Sequence, residues 1–266
     1  MPAKGATIVP RALTIATSDS GGGAGVQADL KAFAAAGAHG TSVLVALTAQ
    51  NTTAVTAVHE LPPEFIRAQL DAVFDDIGVD AAKTGMLFSR TIIETVAEFL
   101  DRRPVPLVVD PVLIASSGAQ LLQDDAVGTL VRTLFPLATV VTPNLPEAEA
   151  LTATTGLSRR NLAERLVELG APAALVTGGH GETAIDHLFD GHEHHELPVE
   201  RHEVRATHGA GCTHSATLAA LLARGLPLLD AARGAAAAAS EAVRNGLVEI
   251  GFGDGPVDVL NVKGRA

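Results

Sequence analysis

Cys212 is the only cysteine among 266 residues, and it stands at residues 207–216, "THGAGCTHSA", after Gly209-Ala210-Gly211 and between His208 and His214. A helical pattern, "CTHSATLAALLARG", follows directly. Free N–H groups at a helix start, together with the helix dipole, make an anion site. The same field is expected to lower the thiol's pKa and enrich the thiolate. The alternative is a cysteine packed as a small buried hydrophobe.

Carboxylates at strand ends form a second constellation. Asp110 follows the apolar run "PLVV", which places it at the carboxyl edge of a sheet, where α/β proteins bind ligands. Asn144 and Glu147, in "TPNLPEAEA", follow another such run. They fit a helix N-cap with its capping partner. They also fit, with Asp110, a Mg²⁺ site completed by substrate phosphates, bound directly or through water.

Other motifs carry less. In "SDSGGGAGVQADLKAF" the spacing Gly23-x-Gly25-x-x-Ala28 matches a dinucleotide fingerprint, but the ribose-binding acid about 20 residues on is missing. The glycines therefore imply either close ligand approach or a simple turn. "AAKTGM" fails as a phosphate loop because Ala82 stands where glycine should precede the lysine, and no G-x-S-x-G elbow occurs. His192, His194 and His195 surround a turn signal, Asp190-Gly191, and fit an exposed polar hairpin better than a metal site.

The elements that must hold these residues are short uninterrupted apolar runs alternating with helical patterns. The runs are "LTIAT", "TSVLVALTAQ", "PLVVD", "LATVVT" and "AALVT". Continuous rather than alternating apolar strands predict a mostly parallel sheet covered on both faces. Pro62-Pro63 opens a helix whose Phe65, Ile66, Leu70, Val73, Phe74 and Ile77 are expected on one face. "RRNLAERLVELG" is predicted to end a helix on Gly170, and "LDAARGAAAAASEAVRNGL" to be a packed helix. No linker or repeat divides the chain, so residues 1–266 are expected to form a single domain.

The bulk composition is globular, at 47% apolar and 18% charged. A net charge of −11 argues against nucleic acid or anionic membrane as partner, while leaving room for a local phosphate pocket. One cysteine fits a reducing compartment. With no signal-peptide core near the start and no span-length apolar run, a soluble cytoplasmic protein is expected.

Taken together, eight segments resemble the hydroxymethylpyrimidine/phosphomethylpyrimidine kinases of thiamine biosynthesis, within the ribokinase-like superfamily. They are "ALTIATSDSGGGAGVQADLKAF", "TSVLVALTAQNT", "AAKTGML", "LVVDPVLIASSG", "FPLATVVTPNLPEAEAL", "ALVTGGHG", "THGAGCTHSA" and "GFGDGPV". The resemblance implies an α/β ribokinase-like three-layer sandwich, a mostly parallel central sheet flanked by helices, with a small β-hairpin excursion. It implies ATP- and Mg²⁺-dependent phosphorylation of 4-amino-5-hydroxymethyl-2-methylpyrimidine and of its monophosphate, by a homodimer. By motif position, Asp29 and Gln50 would read the aminopyrimidine, and Met86 and Val112 would wall its ring. Asp110, Asn144, Glu147 and Thr177 would serve the nucleotide and phosphates, with Asp110 and Glu147 toward the metal. Gly209, Ala210, Gly211 and Cys212 would form the anion hole, and Cys212 would orient or deprotonate the substrate hydroxyl. The chain departs from the family pattern at Thr17, Ser116, Thr177, Ala206, Ala210 and His214. Pyridoxal kinase activity, or pyrimidine binding without catalysis, are the competing readings.

Overall fold

The computed structural model describes residues 9–113, 124–179 and 184–265. Ser116, one of the departures, lies outside them. Nine strands form one sheet: β1 (Arg11–Asp19), β2 (His39–Gln50), β3 (Val55–Glu60), β4 (Ala81–Thr84), β5 (Leu107–Val109), β6 (Val140–Val141), β7 (Ala174–Val176), β8 (Ile185–Phe189) and β9 (His194–Pro198). Their spatial order is β3-β2-β1-β4-β5-β6-β7-β8-β9. The six strands from β2 to β7 run parallel, while β3, β8 and β9 are antiparallel additions at the two edges.

The period-2 geometry of a strand splits each apolar run between two cores. In β5 and β6, Val109 and Val141 face one side, and Val108 and Val140 the other. The first core packs under α2 (Pro63–Ala72), α3 (Arg90–Arg102), α4 (Asp124–Thr133), α5 (Leu145–Thr152) and α6 (Arg159–Glu168). The second packs under α1 (Gly25–Ala35), α7 (Ala210–Ala223) and α8 (Leu228–Arg244). The result is the expected three-layer sandwich. Among the described residues, no helix is long and apolar enough to cross a membrane.

Three local expectations are adjusted. The hairpin forms at Asp190-Gly191, with Asp190 accepting from the amides of His192 and Glu193, but it does not leave the sheet: β8 pairs with β7 and extends it. Strand β3, part of no predicted run, is mostly exposed and adds an antiparallel edge. Of the predicted apolar face on α2, Ile66 and Leu70 are buried, whereas Phe65 is 54% exposed. A π turn at Val73–Ile77 widens the helix end and leaves Ile77 exposed as well.

The strand order reverses between β1 and β4, and the crevice outside the carboxyl ends at such a switch point is where ligands bind in this architecture. Helix α7 starts there. Its preceding residue, Gly209, has φ +85°, and a Cβ at this position would come within 1.8 Å of the Gly23 carbonyl. The first glycine loop and the start of α7 are thus in backbone contact. At Gly211, by contrast, an added Cβ would meet nothing within 4 Å. Gly209→Ala is expected to lose more than about 2 kcal/mol in urea denaturation, and Gly211→Ala to stay within about 1 kcal/mol of the parent. Equal effects at the two positions would contradict the interlock.

Candidate active site

A cavity of about 1070 Å³ runs along the carboxyl ends of the sheet. At one end it is bounded by the tips of β1, β2 and β4, with Thr17, Asp19, Gln50 and Met86. Its middle holds Lys83, Asp110 and the start of α7. The far end lies between the tips of β6, β7 and β8 and helix α8, with Asn144, Thr177, Asp186 and Ala239. Of the residues singled out from sequence, Gln50, Met86, Val112, Asp110, Asn144, Glu147, Thr177, Gly209, Ala210, Gly211 and Cys212 all line it.

Asp29 does not. Its side chain is fully buried, with Thr14 Oγ1 donating at 2.6 Å and Lys83 Nζ at 2.9 and 3.0 Å. The Asp29 carboxylate holds the Lys83 ammonium, and it is Lys83 that lines the cavity. Lys83 is fully buried and also lies 3.5 Å from Asp110. Burial alone would discharge it, but Asp29 and Asp110 outweigh burial and raise its pKa above that of an ordinary lysine. The sequence carried a signal for this. Lys83 interrupts a short buried strand, and a charge there needs a partner.

Asp110 is held from the other side by α7, where Ser215 Oγ donates to it at 2.7 Å. Asn144 and Glu147 form a reciprocal capping box at the start of α5: Asn144 Oδ1 accepts from the Glu147 amide, and Glu147 Oε2 accepts from the Asn144 amide. The capping and ligand-binding readings therefore coexist, since both side chains also line the cavity. Burial, then the nearby Asp110 charge, push the Glu147 pKa up to about 8. Two carboxylates that repel each other in a dry wall fit a cation, and one or two carboxylates plus phosphates and water are a usual Mg²⁺ set. Among the described residues, no cluster of three or more acidic, histidine or cysteine side chains forms a closed metal cage.

Not every amide of the expected anion hole is free. The Ala210 amide donates to the Thr207 carbonyl at 3.1 Å, and the first intrahelical bond runs from Thr213 to Gly209. The first-turn amides of Gly211 and Cys212 remain for a ligand, while Gly209 supplies the turn. The thiol also differs from expectation. Cys212 keeps partial exposure toward the cavity, yet burial pushes its pKa up to about 12. Lys83 opposes that rise, while Asp29 and Asp110 add to it. Burial outweighs Lys83, so the shift is upward, opposite to the one expected from the helix start.

Asp19 and His208 were not foreseen as a pair. Asp19 accepts from the amides of Gly21, Gly23 and Ala24 and lies 3.0 Å from His208 Nε2. Burial works against its charge, but His208 and the Ala24 and Gly21 amides prevail and hold its carboxyl below the usual range. Thr17 donates to the Met86 carbonyl at 3.1 Å, tying the tips of β1 and β4. Ala206 is fully buried, and His214 is buried beside Asp186.

The model of the phosphomethylpyrimidine kinase family matches residues 19–258. The chain belongs to that family. It is accordingly a phosphotransferase. It is 49% identical over 253 residues to the hydroxymethylpyrimidine/phosphomethylpyrimidine kinase of Rhizobium meliloti, covering 92% of this chain and 95% of that one. Among solved structures, it is similar to the Bacillus subtilis pyridoxal kinase in its ADP complex, with TM-score 0.87, 36% identity, and 96% and 99% of the two chains covered. It is also similar to the Clostridium difficile phosphomethylpyrimidine kinase, with TM-score 0.76, 40% identity, and 85% and 96% covered.

Two outcomes follow for this kinase. Asp29→Ala leaves Lys83 with Asp110 as its one carboxylate partner and is expected to cost roughly 3–5 kcal/mol in chemical denaturation; a loss below 1 kcal/mol would mean the ion pair is dispensable. With its pKa pushed up to about 12, Cys212 should alkylate with iodoacetamide at pH 7.5 at least about tenfold more slowly than free cysteine. The rate should still climb beyond pH 9. A plateau near pH 8.5 would show an ordinary thiol.

Proposed function

We propose that this kinase transfers the terminal phosphoryl group of ATP to the hydroxymethyl oxygen of 4-amino-5-hydroxymethyl-2-methylpyrimidine, and then to the phosphate of the resulting monoester. One observation carries the reading. The amides of Gly211 and Cys212 face the middle of the cavity, beside Lys83 and Asp110 and between its two ends. A pyrimidine at the β1/β2/β4 end and a nucleotide at the β6–β8/α8 end would meet there. Gln50 can hydrogen-bond the ring edge, with Met86 and Val112 as apolar walls.

Phosphoryl transfer asks for alignment and charge stabilisation more than covalent help. The two first-turn amides and the positive end of α7 stabilise negative charge on the transferred group. A neutral Cys212 thiol suits an orienting contact to the substrate hydroxyl better than a thiolate base, and a loose transition state requires no early proton removal. Asp110 and Glu147 would hold Mg²⁺, directly or through water, and the ion would neutralise phosphate charge. Thr177 sits at the tip of β7 beside Asn144, positioned for the polyphosphate. In the same reading the chain is a single kinase domain acting in the cytoplasm as a homodimer, with exposed Leu47 and Val58 on the outer strands available for a second copy.

Pyridoxal phosphorylation is the second reading, favoured by the TM-score of 0.87 to a pyridoxal kinase. A product assay with Mg-ATP, resolving mono- from diphosphate, is expected to show turnover of the hydroxymethylpyrimidine. Turnover of pyridoxal alone would reverse the assignment. Cys212→Ala is expected to lower kcat by about 10²-fold while pyrimidine affinity stays within a fewfold; near-normal turnover would remove the thiol from the mechanism.

A further inference from the structure

His214 lies on α7 one turn beyond Gly211, so the two share a face of the helix. It is only 5% exposed, lines the cavity, and neither ring nitrogen has a hydrogen-bond partner. Its Nε2 is 3.3 Å from Asp186 Oδ2, without the alignment of a hydrogen bond. Asp186 is buried too, and its other oxygen accepts from the Gly178 amide. A buried polar ring without partners is uncommon and calls for one from outside the chain. A bare carboxylate beside a polyphosphate would repel it.

We propose that His214 is a nucleotide-binding residue: its ring screens Asp186 and completes its own hydrogen bonding on a phosphate oxygen of the bound nucleotide. Imidazolium donates from both ring nitrogens, and in that form the ring can face a carboxylate on one side and a phosphate on the other. Gly211, one turn away, and Thr177 and Gly178 at the tip of β7 line the same cavity. The proposal rests on the assignment of the β6–β8/α8 end of the cavity to the nucleotide.

Calorimetric titration with ADP tests it, using His214→Gln, the double variant His214→Gln/Asp186→Asn, and Ala239→Phe, which narrows the α8 side of the same end. His214→Gln is expected to raise the ADP Kd about tenfold while pyrimidine affinity stays unchanged. The matching kinetic loss should fall in KM for ATP rather than in kcat. Removing the Asp186 charge in the double variant should recover threefold or more of the ADP affinity, which a merely structural role would not produce. A His214→Gln Kd within twofold of the parent, with Ala239→Phe weakening ADP, overturns the proposal alone. If Ala239→Phe also leaves ADP binding intact, the nucleotide does not occupy this end, and the site assignment falls with it. Thermal melting without ligand separates a folding defect from lost affinity. A parallel drop in pyrimidine and ADP binding together with a lowered Tm would make His214 structural.

Discussion

The buried Lys83 ammonium is the constraint on which the site is built. Its charge is stable only while Asp29 and Asp110 are both held close. Those partners bring in the rest: Thr14 of β1 fixes Asp29 of α1, Lys83 rises from β4, and Asp110 closes β5. Ser215 then ties α7 to Asp110. Five elements on both sides of the point where the strand order reverses are bound by one charge cluster. A slip of any of them would strand a charge in low dielectric, which is far more costly than losing an apolar contact. The start of α7, with its free amides, is located by this cluster.

A second clasp works from the other end of the same helix start. Asp19 gathers the amides of the first glycine loop and reaches His208, while the backbones of Gly23 and Gly209 touch. His208 also pairs by its backbone with the C-terminal loop at Gly255 and Val257. The two glycine motifs, nearly 190 residues apart, are therefore two halves of one turn-to-turn contact. Small residues are required there because backbone meets backbone.

Burial, with neighbouring carboxylates, raises the pKa of both the Cys212 thiol and Glu147. Asp110 and Glu147 crowd one wall, and Cys212 shares the neighbourhood with two carboxylates. Overall likeness of fold does not choose between a pyrimidine and a pyridine alcohol, because both kinds of kinase use this scaffold.

Much of this was legible in order along the chain. Apolar runs gave the parallel strands, glycines and Asp190 gave the turns, and the position of Cys212 after Gly-Ala-Gly gave the start of α7. These are local properties, written within a few residues by backbone sterics and periodicity. Asp110, Asn144 and Glu147 were legible as well, since polar residues that follow a buried strand must emerge at the sheet's edge, whereas Gln50 was implied only by the family resemblance. What only the tertiary structure decided was pairing and charge state. Asp29 meets Lys83 across 54 residues, His208 meets Asp19 across 189, and His214 meets Asp186 from a different element. No local pattern encodes such partners, and the Cys212 thiol shows why that matters. Its helix position favours a thiolate, but burial and its neighbours, fixed only by packing, reverse the sign.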